Sequence, residues 1–162
     1  MAYLNILVTL DGSKFAEAEI NAVTEIAPPG AHIHLLSVID KEPLTALMAR
    51  IYASTDELQT LNESVMLFRT EPPSMLDLRD EYLEAVSDGL DQRKYHVTHE
   101  VRVGNVVDSI LEAARDGFDV IVMATHNRVG VGKLIVGSVT QSVLLRASCP
   151  VLVITPSHNV SQ

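Results

Sequence analysis

A chain of 162 residues and 17.7 kDa has the size of one domain and excludes separately folded catalytic and substrate domains. With 47% hydrophobic and 20% charged residues and a mean hydropathy of +0.19, it is too apolar for a disordered chain, and its single cysteine, Cys149, excludes an internal disulfide framework or a cysteine-built metal cluster. A net charge of −9 opposes general attraction to nucleic acid or anionic membrane, and no apolar run approaches the ~20 residues of a membrane span, so the chain reads as a cytoplasmic protein.

Tyr3 to Leu10 is a short β-branched and apolar run that stops at Asp11-Gly12-Ser13, a turn and helix-start cluster; it reads as the first strand. From Ser13 to Ala27, Phe15, Ala18, Ala22, Val23 and Ile26 recur at helical spacing with Glu17, Glu19 and Glu25 between them, and Pro28-Pro29-Gly30 ends the helix. His32 to Ile39 resumes as a strand, which completes a βαβ unit. Residues 40–73 form a long, variable connection whose two amphipathic pieces, Leu44 to Ile51 and Leu58 to Phe68, predict short helices folded as a lid over the strand ends. Ser74 and Asp77 form a cap-like start for a helix over Ser74 to Lys94.

His96 to Val103 alternates strictly, with Val97, His99, Val101 and Val103 on one side and His96, Thr98, Glu100 and Arg102 on the other, as an edge strand would. Gly104-Asn105 opens a helix through Arg115, closed by Asp116-Gly117. Asp119 to Ala124 is continuously apolar after its first residue, the mark of a central parallel strand buried on both faces. A glycine-bearing loop, a helix from Gly137 to Ala147 and a last strand, Pro150 to Ile154, complete five strands separated by helices. This alternation predicts an open parallel sheet in one domain over residues 1–162, with helices on both faces and a ligand crevice where the winding reverses.

The loop ATHNRVGVGKLIVGSV, residues 124 to 139, combines a turn at a strand end, glycines, Arg128 and Lys133, and a helix that begins at Gly137-Ser138. A glycine at a helix start lets an anion reach free backbone N–H groups, Ser138 adds a hydroxyl, and the helix dipole favours negative charge there. An ordinary loop cap would look the same. Residues 120–162 hold no Asp or Glu beside Arg128, Lys133 and Arg146, so an acidic body carries one locally basic segment; buried elements with few charges would read alike.

Other constellations fall short. Asn127 to Leu134 keeps Gly132-Lys133 but lacks the first glycine and the final hydroxyl of a P-loop. His32 and His34 share a strand face and His96 and His99 do not, which suits ordinary strand histidines better than a metal cage. Asp11, Ser13 and Ser138, with His126 as the nearest histidine, lack a nucleophile elbow and form no catalytic set.

Over nearly its whole length the sequence resembles the universal stress protein family. The likeness is carried by VTLDGS (8–13), HLLSVID (34–40), VRVGNVVDSILEAA (101–114) and above all DVIVMATHNRVGVGKLIVGSVTQSVLLRASCPVLVI (119–154). It implies a Rossmann-like sheet of the adenine nucleotide alpha hydrolase type, in the strand order 3-2-1-4-5, which agrees with the edge reading of the third strand.

Nucleotide-binding members carry G-x2-G-x9-G-[ST], and the four positions here are Ala124, Asn127, Gly137 and Ser138. Asparagine tolerates the left-handed conformation, whereas Ala124 adds a methyl group where the family brings backbone close to the ligand. The resemblance implies that Thr9, Leu10 and Asp11 lie by the base or ribose and that Val38 offers backbone to adenine. Met123, Ala124, His126 and Asn127 would line the ribose and phosphate path, Arg128 and Lys133 would supply charge, and Gly137, Ser138 and Val139 would hold phosphates. An aspartate between strand and helix is also an ordinary N-terminal cap, and Asp11 suits either role.

The implied ligand is ATP or another adenine nucleotide, with or without Mg, and the implied role is stress-response regulation, with slow hydrolysis left open. The alternative is a dimeric protein-interaction module of the same fold without nucleotide. The last strand, Val151, Leu152, Val153 and Ile154, is apolar, yet the strand order implied by the resemblance puts it at a sheet edge, which points to pairing with a second subunit in a homodimer. Cys149 beside it reads as a packing residue.

Overall fold

The strands are β1 (Asn5–Thr9), β2 (His32–Asp40), β3 (His96–Gly104), β4 (Val120–Ala124) and β5 (Val151–Ile154). Between them lie α1 (Ala16–Ile26), α2 (Met75–Asp88), α3 (Val106–Ala113), continued by a 3-10 turn over Ala114–Asp116, and α4 (Ser138–Arg146). This computed structural model describes residues 2–13, 16–40, 74–125 and 137–155; the lid expected at 40–73 lies, but for Asp40, outside the described residues. All neighbouring strands are parallel and their order is β3-β2-β1-β4-β5, as expected.

Strand periodicity divides the core into two layers. Ile6, Val8, Ile33, Leu35, Val120 and Val122 point to one side, with Val23 of α1 and Leu83 of α2. Leu7, Leu36, Ile121 and Met123 point to the other, with Ile110 of α3 and Val143 of α4. The sheet is therefore covered on both faces, which explains why β4 is buried from Val120 to Met123 without alternation. Asp119 anchors the entry to β4: its Oδ2 accepts the Leu4 and Asn5 N–H groups at 2.8 Å each. Cys149 is half-buried in the second layer, and burial followed by the nearby Asp119 raises its thiol pKa, as suits a packing residue.

Helix boundaries follow their caps. Ser74 and Asp77 form a reciprocal capping box, so α2 starts where the sequence places it. It stops at Asp88, six residues before the expected Lys94. Gly89 closes the helix, and residues 91–95 form a separate turn in which the Lys94 and Tyr95 N–H groups donate to Asp91 O and the Lys94 carbonyl accepts Gly30 N–H.

Asn105 caps α3 by accepting Asp108 N–H at 3.0 Å, and Gly117, at φ 91°, releases the chain through the left-handed conformation. Replacing Asn105 with alanine is expected to cost about 1 kcal/mol, read as a lower urea midpoint at unchanged slope.

Residues along β3 are half-exposed, consistent with an edge. The predicted faces separate: Val97 and Val101 pack on the α1/α2 layer, while Thr98, Glu100 and Arg102 face the α3 side. Thr98 Oγ1 lies 2.7 Å from both His32 Nε2 and His34 Nδ1, so these histidines tie β2 to β3.

Candidate functional site

β1 and β4 are adjacent, and their chains part at their carboxyl ends. After Thr9, the Leu10 N–H donates to Leu36 O on the β2 side; after Ala124, the Thr125 N–H donates to Ile154 O on the β5 side. A cavity of about 330 Å³ opens in this fork. Of the sequence-predicted residues, it brings together Thr9, Leu10, Asp11, Val38, Met123, Ala124, Gly137, Ser138 and Val139. His126, Asn127, Arg128 and Lys133 lie outside the described residues.

The remaining walls were not singled out in the sequence: Leu36, Val106 and Ile110 add an apolar side, while Glu19 and Thr140 add polar groups. Val106 and Ile110 are one helical turn apart on α3, a spacing that signals a shared face without revealing that the face borders a cavity. Together with Val38 and Met123 they make a slot suited to a flat, apolar ring.

Asp11 Oδ1 accepts Ser13 N–H at 2.8 Å. This bond stabilises the turn that follows β1, and Asp11 also lines the cavity. Gly12 takes the left-handed φ of 79°, and a Cβ there would fall 2.1 Å from Arg79 Nη1. Glycine is thus favoured by the turn itself, while the α2 guanidinium lying over it would have to move aside for a side chain.

Glu19 is the main addition. On the inner face of α1 and only 4% exposed, it accepts the Ala124 N–H. β1 has already ended at this level, so the carboxyl takes up a donor near the point where the strands part. Burial pushes the Glu19 pKa from 4.5 to about 8; the Ala124 N–H opposes this rise and the Asp11 charge adds to it. Tyr82 of α2 belongs to the same neighbourhood: burial, then Glu19 and Asp11, push its phenol up to about 12 against the pull of Arg79.

Across the fork, α4 begins at Ser138 with Gly137 as its cap residue, which provides no side-chain cap. Gly137 has an ordinary φ of −59°, and nothing among the described residues lies within 4 Å of a Cβ built on it. Glycine is not demanded by local conformation; its effect is to leave the approach to the first N–H groups of α4 open.

A second cavity, of about 270 Å³, lies over β2 and β3, where His32, His34 and Phe118 meet Glu100 and Arg102. Two of its charges are matched to each other: Arg102 Nε is 2.8 Å from Glu100 Oε1, and the Arg102 guanidinium also donates to Ser109 O.

A parallel sheet wound in both directions from adjacent strands, with an apolar slot facing a helix N-terminus, defines a Rossmann-like α/β protein with a switch-point crevice. The chain belongs to the universal stress protein family, whose pattern matches residues 2–155. It is 28% identical over 155 residues to universal stress protein MJ0577 of Methanocaldococcus jannaschii, covering 94% of each chain. Universal stress protein MJ0531 of the same organism is 27% identical over 154 residues, 94% of this chain and 82% of that one. The solved MJ0577 structure shares the fold at a TM-score of 0.70 and 23% identity, over 98% of this chain and all 100% of that one. A universal stress protein in complex with cAMP also shares it, at a TM-score of 0.60 and 19% identity over 97% and 100% of the two chains. Among the described residues, no helix is long and apolar enough to cross a membrane.

Proposed function

We propose that this member of the family binds an adenine nucleotide, ATP in the first instance, in the β1/β4 fork and acts as a stress-response regulator rather than a dedicated enzyme. The observation that carries the reading is the pairing, in one cavity, of an apolar slot with the open N-terminus of α4. Adenine would lie between Val38, Met123 and the α3 side chains, ribose would reach toward Asp11 and Ala124, and phosphates would meet the N–H groups behind Gly137 and the Ser138 hydroxyl. Mg would ride on the phosphates, and Arg128 and Lys133 would add charge from the adjoining loop. The family member in complex with cAMP supports this ligand class.

The same reading takes residues 1–162 as one cytoplasmic domain with a variable connection at 40–73. It also takes β5 as the seam of a homodimer. Among the described residues β5 pairs only with β4, and Val151 to Ile154 remain half-exposed.

Titration calorimetry of ATP and AMP into nucleotide-free protein with Mg, beside Gly137→Val, tests the site. Micromolar binding is expected in the natural chain, with at least ~100-fold weakening in the variant, because the valine side chain would stand where the anion meets backbone. Gly137 has an ordinary φ and no described residue lies within 4 Å of a Cβ there, so thermal stability should barely change. Absence of heat and of any thermal shift with both nucleotides would remove nucleotide binding and leave the dimeric interaction module as the function.

A further inference from the structure

We propose that Glu19 makes the β1/β4 crevice discriminate its ligands by charge, admitting a neutral nucleoside at any pH but holding an anionic nucleotide only while the Glu19 carboxyl carries its proton. The inference rests on the adenine-nucleotide reading and adds its regulation.

Its basis is geometric. Glu19 reaches from α1 to the Ala124 N–H and lines the same cavity as Gly137 and Ser138, so any phosphate held by α4 shares a largely apolar crevice with this carboxyl. Two negative charges in one crevice with largely apolar walls repel more strongly than they would in open water. A protonated carboxyl removes the repulsion and adds a hydrogen-bond donor.

The groups around Glu19 sharpen the effect. Asp11 faces it from the β1–α1 turn and adds negative potential, Tyr82 faces it from α2, and Arg79 brings positive charge over Gly12. The walls from β4, α3 and α4 contribute Ala124, Val106, Ile110, Ser138 and Thr140, none of which titrates in this range. The carboxyl already favours its neutral form near neutral pH because it is buried. An incoming anion favours that form further, so binding and protonation are linked.

The test is calorimetric titration of ATP and of adenosine at pH 7 and pH 9, into the natural protein and into Glu19→Gln. Glutamine keeps an acceptor for Ala124 N–H and two donors but cannot ionise. For the natural protein, ATP affinity is expected to fall by about tenfold from pH 7 to pH 9 while adenosine affinity stays level. Glu19→Gln should show no such fall beyond the small change from ATP itself.

Parallel ATP profiles in the two proteins, or an adenosine affinity that falls with that of ATP, would overturn the charge role while leaving nucleotide binding intact. No binding of either ligand to either protein at either pH would instead overturn the nucleotide reading, and this inference with it. Carbon NMR titration of the Glu19 carboxyl in the natural protein gives a second readout independent of the variant. Saturating ATP is expected to move its midpoint upward, and an unmoved midpoint would overturn the inference.

Discussion

Glu19→Gln is expected to stabilise the fold at alkaline pH, with a gain over the natural chain that grows between pH 5 and pH 8 and then levels off. The folded pKa of Glu19, about 8, lies above its ordinary value of 4.5. The native state therefore holds a proton that the unfolded chain releases over this interval. Its stabilising contribution is fully present below the unfolded value and is lost as pH rises through the folded one. Glutamine preserves the shape and an acceptor for Ala124 N–H without this loss. The difference should reach on the order of 4 kcal/mol by pH 9, measured as urea-unfolding free energies across the pH series. A constant difference from pH 5 to pH 9 would show that Glu19 stays ionised in the fold.

Leu36→Ala should be the most damaging single truncation at the crevice. Leu36 is fully buried on β2, packs in the α3/α4 layer and also forms part of the cavity wall. Removing its side chain loses buried contacts and joins the resulting void to space already present, so neighbouring groups have little to collapse onto. An expected loss of about 2–5 kcal/mol follows, detectable by thermal and urea denaturation. Leu145→Ala is the contrasting control: this residue of α4 is 79% exposed, and its truncation should shift stability by no more than about 0.5 kcal/mol.

Strand positions were readable because each strand's burial leaves a distinct pattern. Apolar continuity placed β4 in the interior, and mixed alternation placed β3 at the edge. The complete strand order came from family resemblance, since periodicity fixes which faces are buried but not which strands adjoin. The α2 overrun has a similarly local cause: apolar spacing continued toward Leu90, but Gly89 and the Asp91 turn ended the helix earlier.

The strand-end and helix-start parts of the crevice, from Thr9 to Asp11 and from Gly137 to Val139, were legible because turn chemistry and a family motif coincide there. Glu19 was not. Its charge sets it among the polar positions of the first helix, although it lies four residues after Phe15 and four before Val23, on the apolar stripe itself. An acidic residue in a core-facing register was the available signal, but recognising what it faced required the partner N–H of Ala124, a residue 105 positions away. Leu36, Val106 and Ile110 were hidden for a different reason: an apolar side chain bordering a cavity has the same sequence signature as one packed in solid core.

The placement of β1 between β2 and β4 also bears on the order in which the molecule can be made. One neighbour is supplied by the next strand, but the other, β4, follows an anchor at Asp119 that lies 115 residues beyond Leu4. During synthesis, the first strand therefore waits with one hydrogen-bonding flank unmatched until most of the polypeptide has emerged, and the fork closes only after α4 has followed. A message truncated before β4 would yield a β1/β2/β3 fragment with an adhesive flank and no ligand cavity, making the last-synthesised part of the chain essential both to recognition and to protection from misassembly.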